Sequence, residues 1–191
     1  METDRKTQII RAAVKRFARH GLTKTTLDEI ARDLRIGKAT IYHYFKSKDE
    51  LFFETINYDS NLILNDIKTI FNDESLPLKE RFAEYFIYKE NIYENYKLIY
   101  DLMANLLNDG GLETEVEILK KLLKQEEDVL RIALGSIYAG RSDNMNPTLP
   151  SFFVMASWGM LFSDMFNKIT SPGRELHTKD FLIKSLETML K

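Results

Sequence analysis

Twice within the first fifty residues a hydroxyl side chain is followed three positions later by glutamate: TLDE at 26–29 and SKDE at 47–50. That spacing opens a helix. The hydroxyl accepts from the backbone N–H of the third residue on, and the carboxylate reaches back to the N–H of the first. Two helix starts so close together confine the chain between them to short helices and tight turns. Leu27, Ile30, Ala31 and Leu34 follow the first start at one-face helical spacing. Arg35-Ile36-Gly37 breaks the pattern, and a second short helix is expected from Lys38 to Phe45. Upstream, Ile9, Ile10, Ala13 and Phe17 make the stripe of a helix from about Asp4 to His20, with Gly21 placed to stop it in a left-handed cap.

From Ser47 a long helix is expected to about residue 71, ended by the turn before Pro77. One or two helices then carry Phe82, Phe86, Tyr93, Tyr96 and Tyr100, up to the NDGG break at 108–111. Further helices are expected over 113–138, 149–169, with Pro150 in the first turn, and 175–190. No alternating β-branched run bounded by turn residues occurs, so the reading is all-α. Three short helices form an N-terminal helix-turn-helix domain, 1–46, and a long helix joins it to a C-terminal helical bundle within 47–191.

The charge is unevenly spread. Residues 1–50 carry 12 Lys and Arg against 7 Asp and Glu, while the remainder carries 15 against 22. A basic head on an acidic body points to a polyanion met by the head alone. With no cysteine, disulfides, iron–sulfur clusters and Cys-ligated zinc are excluded. The N-terminus is charged from its second residue, which leaves no signal-peptide core, and a cytoplasmic protein is expected. The apolar stretch 149–168 contains Pro150, Ser151, Ser157, Ser163 and Asp164, so it reads as a buried helix and no membrane partner is expected.

In a helix-turn-helix, the second helix of the pair enters the DNA major groove and the first braces it across the backbone. On the helix from Lys38, the positions Ile41, Tyr44 and Phe45 share one side, and Ala39, Thr40, Tyr42 and His43 face away. Lys38 offers a cation to phosphate or guanine, and Thr40, Tyr42 and His43 offer polar groups to phosphates or base edges. Thr25 and Thr26 stand at a helix N-terminus suited to phosphate, as does Lys48. These seven residues, with Ala39 on the same outward face, are the candidate contacts to a double-stranded operator.

The run Ile10, Ala13, Phe17, Gly21, Thr25-Thr26, Ile30-Ala31 and TIYHYFKSKDEL resembles the signature of the TetR/AcrR family of transcriptional regulators. The resemblance covers about the first fifty residues. It implies an N-terminal DNA-binding domain and a C-terminal domain that dimerises and binds a small-molecule inducer, usually in a repressor. Two positions depart from the family pattern. Arg35 stands where glycine is common, so its backbone is either ordinary or strained, and Gly37 replaces the usual hydroxyl cap.

For the body, the ligand-pocket candidates are Phe82, Tyr85, Phe86, Tyr93, Tyr96, Tyr100, Met103, Phe153 and Trp158. Tyrosine hydroxyls need partners when buried, which suits an apolar cavity with a few hydrogen-bonding groups. The expected effector is hydrophobic or aromatic and at most weakly charged. Trp158 with Met155, Met160 and Met165 can line the same cavity or pack between subunits. Phe152, Phe162 and Phe166 are the candidates for a homodimer interface built from the last two helices. His20 and His177 lack partners at metal-ligand spacing, and no metal, cofactor or catalytic residue is expected. Two rival readings stay open. One is a DNA-binding regulator controlled by a protein partner. The other is a helical enzyme, although no phosphate loop, H-E-x-x-H or G-x-S-x-G is present.

Overall fold

The computed structural model describes the backbone of residues 2–138, 146–170 and 178–189. Among these, all regular structure is α-helical. The helices are α1 Glu2–Lys24, α2 Leu27–Asp33, α3 Lys38–Tyr44, α4 Lys48–Asn72, α5 Leu78–Glu90, α6 Ile92–Asn95, α7 Lys97–Asp109, α8 Glu113–Tyr138, α9 Leu149–Thr170 and α10 Thr178–Met189. They gather into two compact units, Met1–Ile63 with Tyr96–Lys121, and Leu64–Asn95 with Leu122–Lys191. No helix among the described residues is long and apolar enough to cross a membrane.

In the first unit α1 packs on α2 and α7, and α2 packs on α3. Ile9, Ala13 and Phe17 of α1, Ile30 of α2, Ile41 of α3 and Leu51 of α4 are buried together with Phe52, whose ring meets Phe17 edge-on at 5.1 Å. Fully burying side chains of this size stabilises by roughly 1.5–3 kcal/mol each. Gly21 does bend α1, but not as a left-handed cap: its φ of 74° comes with a ψ of 169°, a region open essentially to glycine alone. The helix resumes beyond it to Lys24. The buried stripe of α4 includes one anomaly. Asp59 is only 4% exposed and has no hydrogen-bond or ion-pair partner among the described residues. Burial pushes its carboxyl up from 3.8 to about 7. The next residue, Ser60, has a buried hydroxyl that also lacks a partner among the described residues.

In the second unit α5 packs on α6, α9 and α10, and α9 packs on α10. Its core is aromatic. The rings of Phe71 and Phe82 lie 5.0 Å apart, Phe82 and Phe153 4.9 Å, and Tyr85 and Phe86 5.4 Å. Such tilted and edge-on contacts are worth about 0.5–1.5 kcal/mol beyond the area they bury. The segment expected to form one or two helices forms three. The Asn91 side-chain amide donates to the Ile87 carbonyl at 2.9 Å, closing α5, and Tyr96 (φ −135°, ψ 50°) separates α6 from α7. Gly110 caps α7 with a φ of 83°, the left-handed end that the NDGG break announces.

Candidate nucleic-acid interface

The two capping signals act as their chemistry dictates, with one variation. The Thr26 hydroxyl accepts from the Glu29 N–H at 3.3 Å, and Glu29 accepts from the Thr26 N–H at 2.9 Å, so α2 begins with both halves of the box. These bonds, the backbone one first, hold the Glu29 carboxyl below its ordinary value. At α4 the Ser47 hydroxyl accepts from Glu50 at 3.0 Å, but the Glu50 carboxylate reaches one residue further back, to the Lys46 N–H at 2.6 Å.

The turn between α2 and α3 answers the question that Arg35 raises. Ile36 N–H donates to the Ala31 carbonyl at 3.0 Å and Arg35 N–H to the Arg32 carbonyl at 3.1 Å. This six-to-one and five-to-two pair is the Schellman closure of a helix, and it requires a left-handed residue at position 35. Arg35 accordingly adopts a φ of 53°, without the freedom that glycine has there. Gly37 then caps α3 with extended backbone (φ −73°, ψ 144°) and no side-chain bond. Arg16 of α1 holds α2 from behind. Its guanidinium bonds both oxygens of Asp33, at 2.6 and 2.8 Å, and lies 3.6 Å from Glu29. The hydrogen bond from Arg16 holds the Asp33 carboxyl below the usual carboxylate range.

This frame decides what α3 shows to solvent. Ile41 and Phe45 are fully buried, and Tyr44 is half-buried with its neighbour His43 edge-on at 5.0 Å. Lys38, Ala39, Tyr42 and His43 are exposed, Tyr42 by 50%, and Thr40 is half-buried. Lys38 is already paired: its ammonium donates to Asp28 at 2.7 Å, a bond that raises its pKa. A phosphate or base therefore competes with Asp28 for this cation. Thr26 is exposed at the start of α2, whereas Thr25 is fully buried and its hydroxyl donates to the Gly21 carbonyl at 2.8 Å. Thr25 thus leaves only its backbone for an outside anion. Lys48 is half-buried and donates to the Leu22 carbonyl at 2.8 Å and the Thr25 carbonyl at 3.1 Å. It ties the C-terminal end of α1 to the start of α4, a structural task that its position in SKDE does not reveal.

The pocket candidates divide between the two units. Phe82, Tyr85, Phe86, Phe153 and Trp158 are buried side by side in the second unit, Tyr93 is 49% exposed, and Tyr96, Tyr100 and Met103 belong to the first. Of the interface candidates, Phe152 is 46% exposed and Phe162 is buried. The side chain of Phe166 lies outside the described residues, as do those of Met165 and His177. His20 is exposed near the end of α1.

A polar cluster that sequence reading missed sits among the aromatic side chains. Glu126 is fully buried and takes hydrogen bonds on both oxygens: from Tyr85 at 2.5 Å and Lys89 at 2.8 Å on one, and from the Trp158 indole at 2.8 Å on the other. Ser157 Oγ lies 2.7 Å from the Tyr85 oxygen and 2.8 Å from the Val154 carbonyl. The Lys89 ammonium, also fully buried, stands 3.5 Å from the centre of the Trp158 ring and 5.7 Å from that of Tyr85. Burial lowers the Lys89 pKa to about 8 against the opposing pull of Glu126, and burial with Glu126 raises that of Tyr85. A signal existed. Glu126 falls in line with Leu119, Leu122 and Leu130, and Lys89 with Phe82, Tyr85 and Phe86, so each charge occupies an apolar stripe.

Residues 9–55, which span all of α2 and α3 and most of α1, match the family described as bacterial regulatory proteins, tetR family. The HTH-type transcriptional regulator YhgD of Bacillus subtilis is 48% identical over 54 residues, 28% of each chain. The biofilm operon icaADBC negative transcriptional regulator IcaR of Staphylococcus aureus is 29% identical over 128 residues, 63% of this chain and 66% of its own. The chain spans about half the length of two further Bacillus subtilis regulators that it matches. Among solved structures, Bacillus subtilis FadR in complex with stearoyl-CoA is similar over 96% of both chains, with a TM-score of 0.63 and 19% identity. The helix-turn-helix frame and the family match over it lead to one assignment: residues 9–55 form a helix-turn-helix segment of the tetR family of bacterial regulatory proteins.

Proposed function

We propose that the protein is a sequence-specific, DNA-binding transcriptional regulator, a cytoplasmic homodimer that represses its target and leaves its operator when a small hydrophobic or aromatic ligand binds. The exposed Lys38, Ala39, Tyr42 and His43 face of α3, anchored from behind by buried Ile41, carries the reading. A short helix with a rigid base and a polar, basic outer face is what the major groove admits. Repression is supported by the likeness to IcaR, a negative regulator, and ligand control by the likeness to FadR, which was solved with stearoyl-CoA. Dimerisation is supported by apolar side chains exposed on the last two helices: Phe152 and Met155 of α9 and Phe181 of α10, the latter two by 75% and 69%. Release needs a ligand that prefers one disposition of α4 over another, since equal affinity for both shifts nothing.

Selection from random duplexes at defined salt tests the DNA reading. A near-palindromic motif is expected, with affinity falling steeply as salt rises. Failure to enrich any motif overturns it.

The close-packed aromatic core of the second unit favours a second reading, control by a protein partner in place of a ligand. Linkage separates the two. A true effector binds the operator complex more weakly than the free protein, by the same factor by which it weakens DNA binding.

A further inference from the structure

We propose that Arg35, in the turn between α2 and α3, grips a phosphate of the operator duplex beside the groove that α3 enters. The inference rests on the DNA-binding reading above and adds a contact at a position where glycine is common.

The fold gives this side chain no task. Arg35 is the only residue other than glycine with a positive φ among the described residues, and the closure that demands it uses backbone groups alone. Glycine would close the same turn without strain. The Arg35 guanidinium offsets nothing in return: it is exposed and makes no hydrogen bond or ion pair among the described residues. Other arginines are engaged. Arg11 donates to the Tyr58 hydroxyl at 2.7 Å, and Arg81 to the Leu76 and Phe71 carbonyls at 2.8 and 3.0 Å. A strained residue that makes no contact within its own chain points to function.

Its surroundings select the partner. Each carboxylate of α2 is already committed: Asp28 to Lys38, Glu29 to the start of its own helix, and Asp33 to Arg16 through both oxygens. Helix α3 has no carboxylate. The anion for Arg35 must come from outside the pair of helices. Arg35 precedes Lys38, where α3 begins, by three residues, a span of at most about 11 Å. A helix in the major groove is flanked by the sugar-phosphate backbones, so a cation beside its N-terminal end meets phosphate and not base edges. The neighbouring lysines leave that role open, since Asp28 holds Lys38 and the Leu22 and Thr25 carbonyls hold Lys48. The planar fork of a guanidinium also matches two phosphate oxygens at once, which an ammonium does not.

The test compares the wild type, Arg35→Gly and Arg35→Lys on the duplex that the wild type selects and on a scrambled one. Binding is followed by fluorescence anisotropy of labelled DNA from about 50 to 200 mM salt. Arg35→Gly is expected to bind both duplexes about tenfold more weakly, with a salt slope shallower by about one unit for each bound subunit. Its urea midpoint should rise above that of the wild type as the strain is relieved, so the loss of binding cannot come from unfolding. Arg35→Lys should keep the wild-type salt slope and lose less affinity than the glycine variant. Unchanged affinity and slope in Arg35→Gly overturn the contact. So does a loss confined to the selected duplex, because a phosphate contact carries no sequence information. A lower urea midpoint also overturns it, since the arginine would then serve the fold. A wild type that binds no duplex at all overturns the DNA-binding reading, and the contact with it.

Discussion

Replacing Asp59 by Asn should make the protein gain stability relative to the wild type as pH rises. Asp59 is 4% exposed on the buried stripe of α4, with no cation or hydrogen-bond donor partnering it among the described residues. Its carboxyl is pushed from 3.8 to about 7. Between those values the folded protein keeps a proton that the unfolded chain has released. By linkage, stability is then fully present below the unfolded value and is lost as pH rises through the folded one. At about 1.4 kcal/mol per unit, the whole loss comes to ~4 kcal/mol, of which ~2.5 kcal/mol falls between about pH 5 and pH 8. Asparagine has nearly the same shape and cannot ionise. Urea unfolding of both proteins, followed by far-ultraviolet circular dichroism at fixed protein concentration, should show the variant gaining on the wild type by ~2.5 kcal/mol across that range. Whatever the amide itself costs on burial shifts both ends of the comparison alike. Parallel stability curves, or a wild type that gains on the variant with rising pH, would refute the reasoning.

Gly21→Ala should cost about 1–2 kcal/mol, read as a lower urea midpoint, because the φ of 74° is strained for any residue with a Cβ even though open space surrounds it. Thr26→Ala should cost about 1 kcal/mol in the same assay by removing the acceptor that starts α2. Lys48→Ala should cost about 1.5–3 kcal/mol through its two bonds to the Leu22 and Thr25 carbonyls. An unchanged midpoint would mean that those bonds contribute nothing. Met155→Glu, on the exposed face of α9, should shift sedimentation towards monomer with the helical content retained. A variant that sediments as the wild type does would remove that face from the interface.

Helix type and helix starts were legible from local chemistry alone. Both capping signals, the apolar stripes and the Pro and Gly breaks act within a few residues of themselves, so Leu27–Asp33, Lys38–Tyr44 and Glu113–Tyr138 lie where the spacing puts them. The outward face of α3 was legible for the same reason: burying Ile41 and Phe45 leaves Tyr42 and His43 outside. What distant residues share was not legible. Lys48 and Thr25 look like phosphate ligands in a linear reading, and only packing turns them inward, onto the carbonyls of Leu22 and Gly21. Arg35 could be ordinary or strained until the bonds from residues 35 and 36 back to Arg32 and Ala31 fixed its sign of φ. The aromatic residues of the body announced a core but not its partition, since hydrophobic burial is non-directional and many arrangements satisfy it. Lys89 and Glu126 lie 37 positions apart on different helices, and their pairing exists only because tertiary packing sets two charges from two apolar stripes against one indole ring.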